Sequence, residues 1–193
     1  MNKIFVATAT ACILFFAGFT SAYSQDGFFS DAQTLRQGTA SLGVQPAIYT
    51  DLDNELMLYL RGAYGVNPGL SMHAKVGLLR DETYFGGHFK YQLSGEPSDP
   101  ISFSLIGGVY AFGDLGLKIG GVLSKKIGDI SLYSGLLFEP LFSEPNELTP
   151  LLIPVGFDIP LGSNTNFVLE ADMAANDDAD FYQALHFGFN FYL

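Results

Sequence analysis

The chain has 193 residues, and 20 acidic residues against 9 lysines and arginines give a net charge of −11. Such an acidic chain argues against nucleic acid as a partner. Hydrophobic residues make up 48% of the chain, and charged residues only 15%, against about 25% in typical globular proteins. A sequence this apolar either buries a large core or exposes apolar side chains to lipid.

Residues 1–22 predict a cleaved secretory signal peptide. Lys3 supplies the positive charge, residues 4–19 form an apolar run, and Ala22 offers a small residue for cleavage. The run is too short for a membrane-spanning helix. It contains Cys12, the only cysteine of the chain, so the mature protein has no disulfide framework. Residues 23–38 are polar and lack alternation, which predicts a periplasmic N-terminal leader.

Residues 39–193 break into about ten strand-like runs separated by turns rich in Gly, Pro, Asn and Asp. The predicted strands are 39–50, 55–66, 70–80, 84–94, 101–112, 117–127, 130–142, 151–161, 166–175 and 181–193. They exceed the usual soluble strand of about 5–6 residues and match the roughly 9–11 residues that cross a bilayer at a tilt. Pro46, Pro154 and Pro160 lie inside these runs and should mark bulges or strand ends.

Large apolar side chains alternate with small or polar ones along most of these runs. In the last run, one face carries Phe187, Phe189, Phe191 and Leu193, and the other carries His186, Gly188, Asn190 and Tyr192. Residues two apart in a strand share a face. The second face is only sparsely charged, unlike a solvated barrel exterior. We therefore expect the apolar face to meet lipid and the second face to line a narrow lumen.

The signal peptide, the alternating hairpins and the sequence from Tyr64 to Gly77 (YGVNPGLSMHAKVG) resemble small bacterial outer-membrane β-barrel proteins. The resemblance covers nearly the whole mature chain. It implies a closed antiparallel up-and-down transmembrane barrel of about ten strands, eight also being possible, in the outer membrane of a Gram-negative bacterium. The implied partners are outer-membrane lipid and lipopolysaccharide, and the barrel assembly machinery. That machinery would recognise a C-terminal assembly signal formed by Phe187, Phe189, Phe191 and Leu193, although the signal in this family usually ends in Phe.

The inward faces carry charges of both signs on opposite sides of the predicted barrel. The basic side is Arg61, Lys75 and Lys90 with His73 and His88, and the acidic side is Glu139, Asp158, Glu170 and Asp172 with His186. Unpaired charges are expensive in a low-dielectric interior, so we expect cross-lumen pairing and a largely plugged lumen. The function predicted is a structural barrel, with a narrow small-solute channel as the alternative. Ten strands enclose little space.

Two other classes of function remain open at this point. One is a barrel enzyme acting on envelope lipid, with His186 as base beside Glu170 or Asp172; the sequence shows no obvious serine partner, so no enzymatic activity is predicted. The other is a soluble secreted ligand-binding barrel whose apolar face lines a cavity. The histidines are scattered and predict no metal site, and no cofactor motif occurs.

The predicted outer turns are acidic. They contain Asp51, Asp53, Asp81, Glu82, Asp114, Glu144, Glu147, Asp177, Asp178 and Asp180. We interpret them as solvated turn residues, with binding of divalent cations shared with lipopolysaccharide phosphates as the alternative. These turns are too short for a large surface domain.

Overall fold

The computed structural model describes residues 27–50, 55–78, 83–95, 99–142 and 148–193. The predicted signal peptide lies outside these ranges. So do six of the acidic turn residues, Asp51, Asp53, Asp81, Glu82, Glu144 and Glu147.

The described chain is almost entirely β-structure. Its strands are β1 (Ala40–Tyr49), β2 (Glu55–Asn67), β3 (Leu70–Leu78), β4 (Thr83–Ser94), β5 (Ile101–Phe112), β6 (Asp114–Ile127), β7 (Ile130–Phe138), β8 (Leu141–Phe142), β9 (Leu151–Pro160), β10 (Thr165–Ala174) and β11 (Ala184–Tyr192). One short 3-10 helix, η1 (Asp177–Tyr182), precedes β11. Within the described residues, no helix is both long and apolar enough to cross a bilayer.

The strands form a closed antiparallel barrel. Neighbours in sequence pair with each other, β7 pairs with β9, and β11 returns to pair with β1. The two-residue strand β8 lies outside this ring; it pairs with the start of β6, and its Leu141 forms a single bridge with Leu148. The predicted up-and-down barrel of about ten strands is therefore confirmed as a ten-stranded ring with one short extra strand.

Two predicted strands were too long. The run 130–142 divides into β7 and β8 because Pro140 lies between them and has no backbone N–H for a ladder. The run 181–193 begins only at Ala184, because η1 occupies the preceding residues.

The prolines interrupt ladders without shifting them. Pro46 has no registered partner on β11, and Pro154 has none on β7, although the register is the same on either side of each. Only Pro160 ends a strand. The expectation of bulges at Pro46 and Pro154 was therefore wrong, because a missing N–H removes one bond while the neighbouring pairs hold the strands in place.

The barrel wall has its apolar side chains outside. Exposed residues include Leu42, Leu60, Phe85, Phe89, Val109, Ile119, Leu136, Phe157, Leu185 and Phe189. Buried inside are polar residues such as Gln45, Lys90, Lys118, Glu139, Asp158, Glu170, Asp172 and His186. The predicted assignment of the two faces matches this burial.

The two ends of the barrel differ. The terminal end is where β1 begins and β11 finishes; the distal end carries β8 and η1. Inside the distal half lies an aromatic group, hereafter the distal aromatic cluster, of Tyr49, Tyr59, Tyr84, Tyr110 and Phe112. Its rings are in direct contact, with Tyr84 stacked on Tyr110 at 5.8 Å between centroids and edge-on to Tyr59 at 5.7 Å. These side chains fill the lumen at that end.

Candidate functional site in the barrel lumen

Residues 27–38, which we call the N-terminal segment, lie inside the terminal half of the lumen. Phe28, Phe29 and Ala32 are fully buried and pack against inward residues of the wall, including Ile106 and Val168. The segment leaves the lumen at the terminal end, where the amide of Gly38 donates to the carbonyl of Gly65. A piece of chain preceding the first strand thus supplies part of the barrel's own core.

Two basic side chains of the wall bind the backbone of this segment. Arg61 on β2 donates from Nη1 to the Phe29 carbonyl and from Nη2 to the Phe28 carbonyl, both at 2.8 Å. Its guanidinium also lies 5.1 Å from the centre of the Phe29 ring. Lys90 on β4 donates from Nζ to the Asp31 carbonyl at 2.7 Å and to the Ser30 hydroxyl. Charged donors make stronger hydrogen bonds than neutral ones, so these contacts hold the segment.

Three further strands contribute polar contacts. The Phe29 amide donates to Glu170 Oε2 on β10 at 2.7 Å, and the Ala32 amide donates to the Ser124 hydroxyl on β6 at 3.2 Å. Ser104 on β5 donates to the Ala32 carbonyl. The segment is therefore bonded to β2, β4, β5, β6 and β10. Contacts with five strands of the ring hold the segment inside the lumen.

Close packing requires glycine at two contact points. A Cβ at Gly27 would overlap the carboxylate oxygens of Glu170 and Asp172. A Cβ at Gly135 on β7 would overlap the backbone carbonyl oxygen of Gly121 on β6 and would lie 2.5 Å from the Phe28 ring. Any larger side chain at either position would push the segment away from the wall.

Glu170, Asp172 and His186 form a compact buried group that we call the acid–histidine cluster. Glu170 and Asp172 project inward two residues apart on β10, and His186 on β11 is registered opposite Glu170. Ligand atoms of all three lie within 4.8 Å of one another. Gln45 Nε2 donates to His186 Nδ1 at 2.8 Å, so His186 Nε2 carries the proton and donates to Asp172 Oδ2 at 2.9 Å. Both ring nitrogens of His186 are thus engaged.

The other predicted lumen residues all face inward, with local partners. Lys75 Nζ lies 3.6 Å from the centre of the Tyr59 ring. His88 stacks on His73 at 4.7 Å between centroids. Glu139 pairs with Lys118 at 3.1 Å, and Asp158 accepts a hydrogen bond from Asn166. The structure brings Glu170, Asp172 and His186 together, and it places the N-terminal segment between them and Arg61.

Sequence reasoning missed the N-terminal segment, Gln45 and Lys118. Residues 23–38 were interpreted as a leader with no place in the lumen. Gln45 and Lys118 fall on the inward face of β1 and β6 by alternation, so a strict parity count would have found them. The segment offered the weaker signal of two adjacent phenylalanines, Phe28 and Phe29, in a polar stretch.

A vestibule of about 470 Å³ opens at the terminal end, between the N-terminal segment and the wall. Its lining is polar and carries charges of both signs, with Asp31, Arg36, Lys126, Asp129 and Asp158 among the residues that face it.

At the distal end, four of the predicted acidic turn residues are described: Asp114, Asp177, Asp178 and Asp180. Asp178 on η1 accepts hydrogen bonds from the Thr149 hydroxyl at 2.8 Å and the Thr149 amide at 3.0 Å. These bonds favour the carboxylate and lower the pKa of Asp178 below its usual value. They join the chain before β9 to η1.

The predicted assembly signal lies on β11, the strand that closes the barrel against β1. Phe187, Phe189 and Phe191 point outward, with Phe189 and Phe191 more than 40% exposed, and Leu193 follows at the strand end.

The solved structures similar to this chain include two β-barrels. A chain from the de novo design of transmembrane β-barrels aligns over all of its own length and 83% of this chain, with 16% identity and a TM-score of 0.44. The N-terminal β-barrel domain of Pseudomonas aeruginosa OprF aligns over 98% of its length and 81% of this chain, with 11% identity and a TM-score of 0.43. No protein-family description and no curated protein matches the sequence. The closed ten-stranded ring confirms the predicted resemblance to small β-barrels, without defining a subfamily.

Proposed function

We propose that this protein is an integral outer-membrane β-barrel of structural function, whose lumen is closed at one end by aromatic side chains and at the other by its own N-terminal segment. The alternative of a narrow solute channel then applies only to a state in which the segment has left the lumen. The terminal end would face the periplasm and the distal end the outside of the cell.

The observation that carries the membrane location is the inverted burial of the wall. Leu, Ile, Val and Phe cover the exterior of every long strand, and several, such as Phe85, Leu115 and Ile127, are more than half exposed. Soluble monomers rarely expose apolar patches above a few hundred Å². Lipid is the solvent that suits this exterior, since a closed barrel leaves no unpaired strand edge. A soluble ligand-binding barrel would need these side chains inside.

The same exterior supports the proposed partners. Outer-membrane lipid would contact the apolar belt, and lipopolysaccharide its outward rim. The assembly machinery would recognise β11. Its outward phenylalanines and its pairing with β1 fit a strand that closes the barrel at the end of assembly. No nucleic acid is proposed as a partner.

The contacts of the N-terminal segment support a closed resting state. Its carbonyls accept hydrogen bonds from Arg61 and Lys90, and its Phe28 and Phe29 rings fill space that water would otherwise occupy. Beyond it, the distal aromatic cluster closes the lumen again. An open aqueous channel in natural porins uses about 16–18 strands, so a ten-stranded ring is easily filled.

The geometry also favours a non-enzymatic function over a lipid-modifying one. His186 is fully buried, with Gln45 and Asp172 on its two ring nitrogens. A general base must come within hydrogen-bond reach of its substrate. An envelope lipid outside the wall has no such access to His186.

The test is membrane fractionation combined with gel mobility of unheated and boiled samples. We expect the protein in the outer-membrane fraction, with a heat-dependent mobility shift typical of a detergent-resistant barrel. Full-length protein in planar bilayers should then show no steady conductance. A soluble periplasmic protein would overturn the membrane location, and a stable open pore in the intact chain would overturn the closed lumen.

A further inference from the structure

We propose that the acid–histidine cluster of Glu170, Asp172 and His186 is a structural site for one divalent first-row transition-metal ion, with Zn²⁺ as the reference ion. The ion would join β10 to β11 inside the lumen and would be enclosed by the N-terminal segment. This site is independent of whether the barrel conducts.

The donor set suits such an ion. One imidazole and two carboxylates are ligands that Zn²⁺ accepts, at about 2.0–2.2 Å. The three donor atoms already lie within 4.8 Å of one another on two hydrogen-bonded strands. A pair of neighbouring strands fixes the backbone under all three ligands, and a water molecule would complete the four-coordinate shell.

The environment of the two carboxylate oxygens of Glu170 is a second observation that supports the metal site. Oε2 accepts from the Phe29 amide, which orients the carboxylate. Oε1 is buried and has no donor within ordinary hydrogen-bond distance among the described residues, and the Tyr133 hydroxyl is the side-chain donor directed at the same carboxylate. A buried carboxylate oxygen without a donor is costly, and a bound cation would satisfy it.

The nearest wall cations have other partners. Arg61 donates to the carbonyls of Phe28 and Phe29, and Lys90 to Ser30 and Asp31. Lys75 lies over the Tyr59 ring. When both carboxylates are ionised, they and a neutral imidazole would carry an excess of negative charge in this buried site, and a divalent cation would compensate it.

Gln45 provides the outer support that such a site needs. A metal-bound imidazole donates its other N–H to a nearby oxygen, which fixes the ring. Gln45 lies 2.8 Å from His186 Nδ1, and its Oε1 is buried with no hydrogen-bond partner among the described residues. When the Gln45 amide turns over, its Oε1 accepts a hydrogen bond from His186 Nδ1–H. His186 Nε2 then presents its lone pair to the ion.

The enclosure predicts when the ion binds. The Phe29 amide sits on Glu170, and Gly27 packs against both carboxylates. An ion would therefore enter while the barrel assembles and exchange slowly once the segment is in place.

The test is metal content after refolding. The full mature chain is refolded in detergent with either Zn²⁺ or EDTA, passed through a desalting column and measured by elemental analysis. Heat-dependent gel mobility verifies folding. We expect one equivalent of Zn²⁺ to remain on the wild type, and the temperature of its mobility shift to be higher than after refolding in EDTA.

Variants locate the ion. Glu170→Gln and His186→Gln should lose the bound Zn²⁺, whereas Asp158→Asn, which alters a buried inward acid outside the cluster, should keep it. Gln45→Leu, which removes no ligand, should weaken binding by about 10–100-fold and serves as the readout if the ligand variants fail to fold. Refolding with Co²⁺ should give visible absorption bands that His186→Gln abolishes. A wild type without retained Zn²⁺, or equal retention in Glu170→Gln and Asp158→Asn, would overturn the site.

Discussion

The two halves of the lumen are filled in different ways. In the distal half, aromatic side chains of the strands themselves pack against one another inside the barrel, as in the stack of Tyr84 on Tyr110 from the neighbouring strands β4 and β5. In the terminal half, a separate piece of chain occupies the space and is held by side chains from five strands. The first filling forms only when the barrel forms, whereas we expect the second to leave without unfolding the wall.

Because of this difference, we expect the stability of the barrel and the closure of its lumen to respond to different substitutions. A change in the distal aromatic cluster should lower the free energy of unfolding of the whole barrel. A change at Arg61 should instead alter the fraction of molecules with the segment bound, and a change at Gly135 should affect both, because its Cβ would also meet the Gly121 carbonyl of the wall. The variants below distinguish these effects, from the largest expected to the smallest.

The largest effect is expected from Tyr84→Ala. Tyr84 is fully buried between Tyr59 and Tyr110, and truncation of a buried aromatic side chain costs about 3–5 kcal/mol. Urea unfolding in detergent, followed by the mobility shift, should show this loss.

The matched control is Tyr91→Ala on the same strand, whose ring is 53% exposed on the lipid side. It should change the unfolding free energy far less. Equal losses in the two variants would mean that the distal aromatic cluster does not form the core of this half.

The next effect is expected from Arg61→Met, which keeps the apolar stem and removes the guanidinium. Two hydrogen bonds from a charged donor are lost, each worth about 1.5–3 kcal/mol. A loss of even 2 kcal/mol raises the population of the released segment by about 30-fold. Measured in a Ser30→Cys background, maleimide labelling should accelerate by a similar factor, while the urea midpoint of the wall changes little.

Arg36→Met is the control, because Arg36 is exposed at the end of the segment. Its labelling rate should equal that of the Ser30→Cys background alone. If Arg61→Met labels no faster, the two carbonyl contacts do not retain the segment.

The wall of this barrel could be predicted from sequence, because alternation with a period of two is a local property. Leu60, Phe89 and Phe157 were assigned outward on that ground and are exposed. The inward positions of Lys75, Glu170 and His186 follow from the same parity. Local pattern therefore defined the faces and the strand order.

The partners inside the lumen could not be predicted, because they depend on a non-local contact. Arg61 was expected to meet acids across the lumen, and it meets the carbonyls of Phe28 and Phe29 instead. Every residue has a backbone carbonyl, so the sequence does not show which carbonyls accept hydrogen bonds from a side chain. The grouping of Glu170, Asp172 and His186 depends on the register of β10 with β11, which parity alone does not give.

A smaller effect on closure is expected from Gly135→Ala. The new methyl group would lie 2.5 Å from the Phe28 ring and would also meet the backbone carbonyl oxygen of Gly121 on β6, and overpacking of this kind costs about 1–3 kcal/mol. Labelling at Ser30→Cys should accelerate less than in Arg61→Met. Gly62→Ala is the control, since no atom lies within 4 Å of its Cβ position. Unchanged labelling in Gly135→Ala would show that Phe28 does not need this close approach.

The smallest effect is expected at the distal end, from Asp178→Asn. The Thr149 hydroxyl and amide bonds lower the pKa of Asp178, so its contribution to stability is present above the unfolded value of 3.8 and is lost as the pH falls below it. The mobility-shift temperature of the variant should be slightly lower than that of the wild type at pH 7, and the two should converge in acid. Asp177→Asn removes a neighbouring charge and should not reproduce this pH dependence. A difference that persists unchanged below the normal carboxylate range would mean that the Asp178 charge does not hold Thr149 against η1, and that the distal end is closed by its aromatic side chains alone.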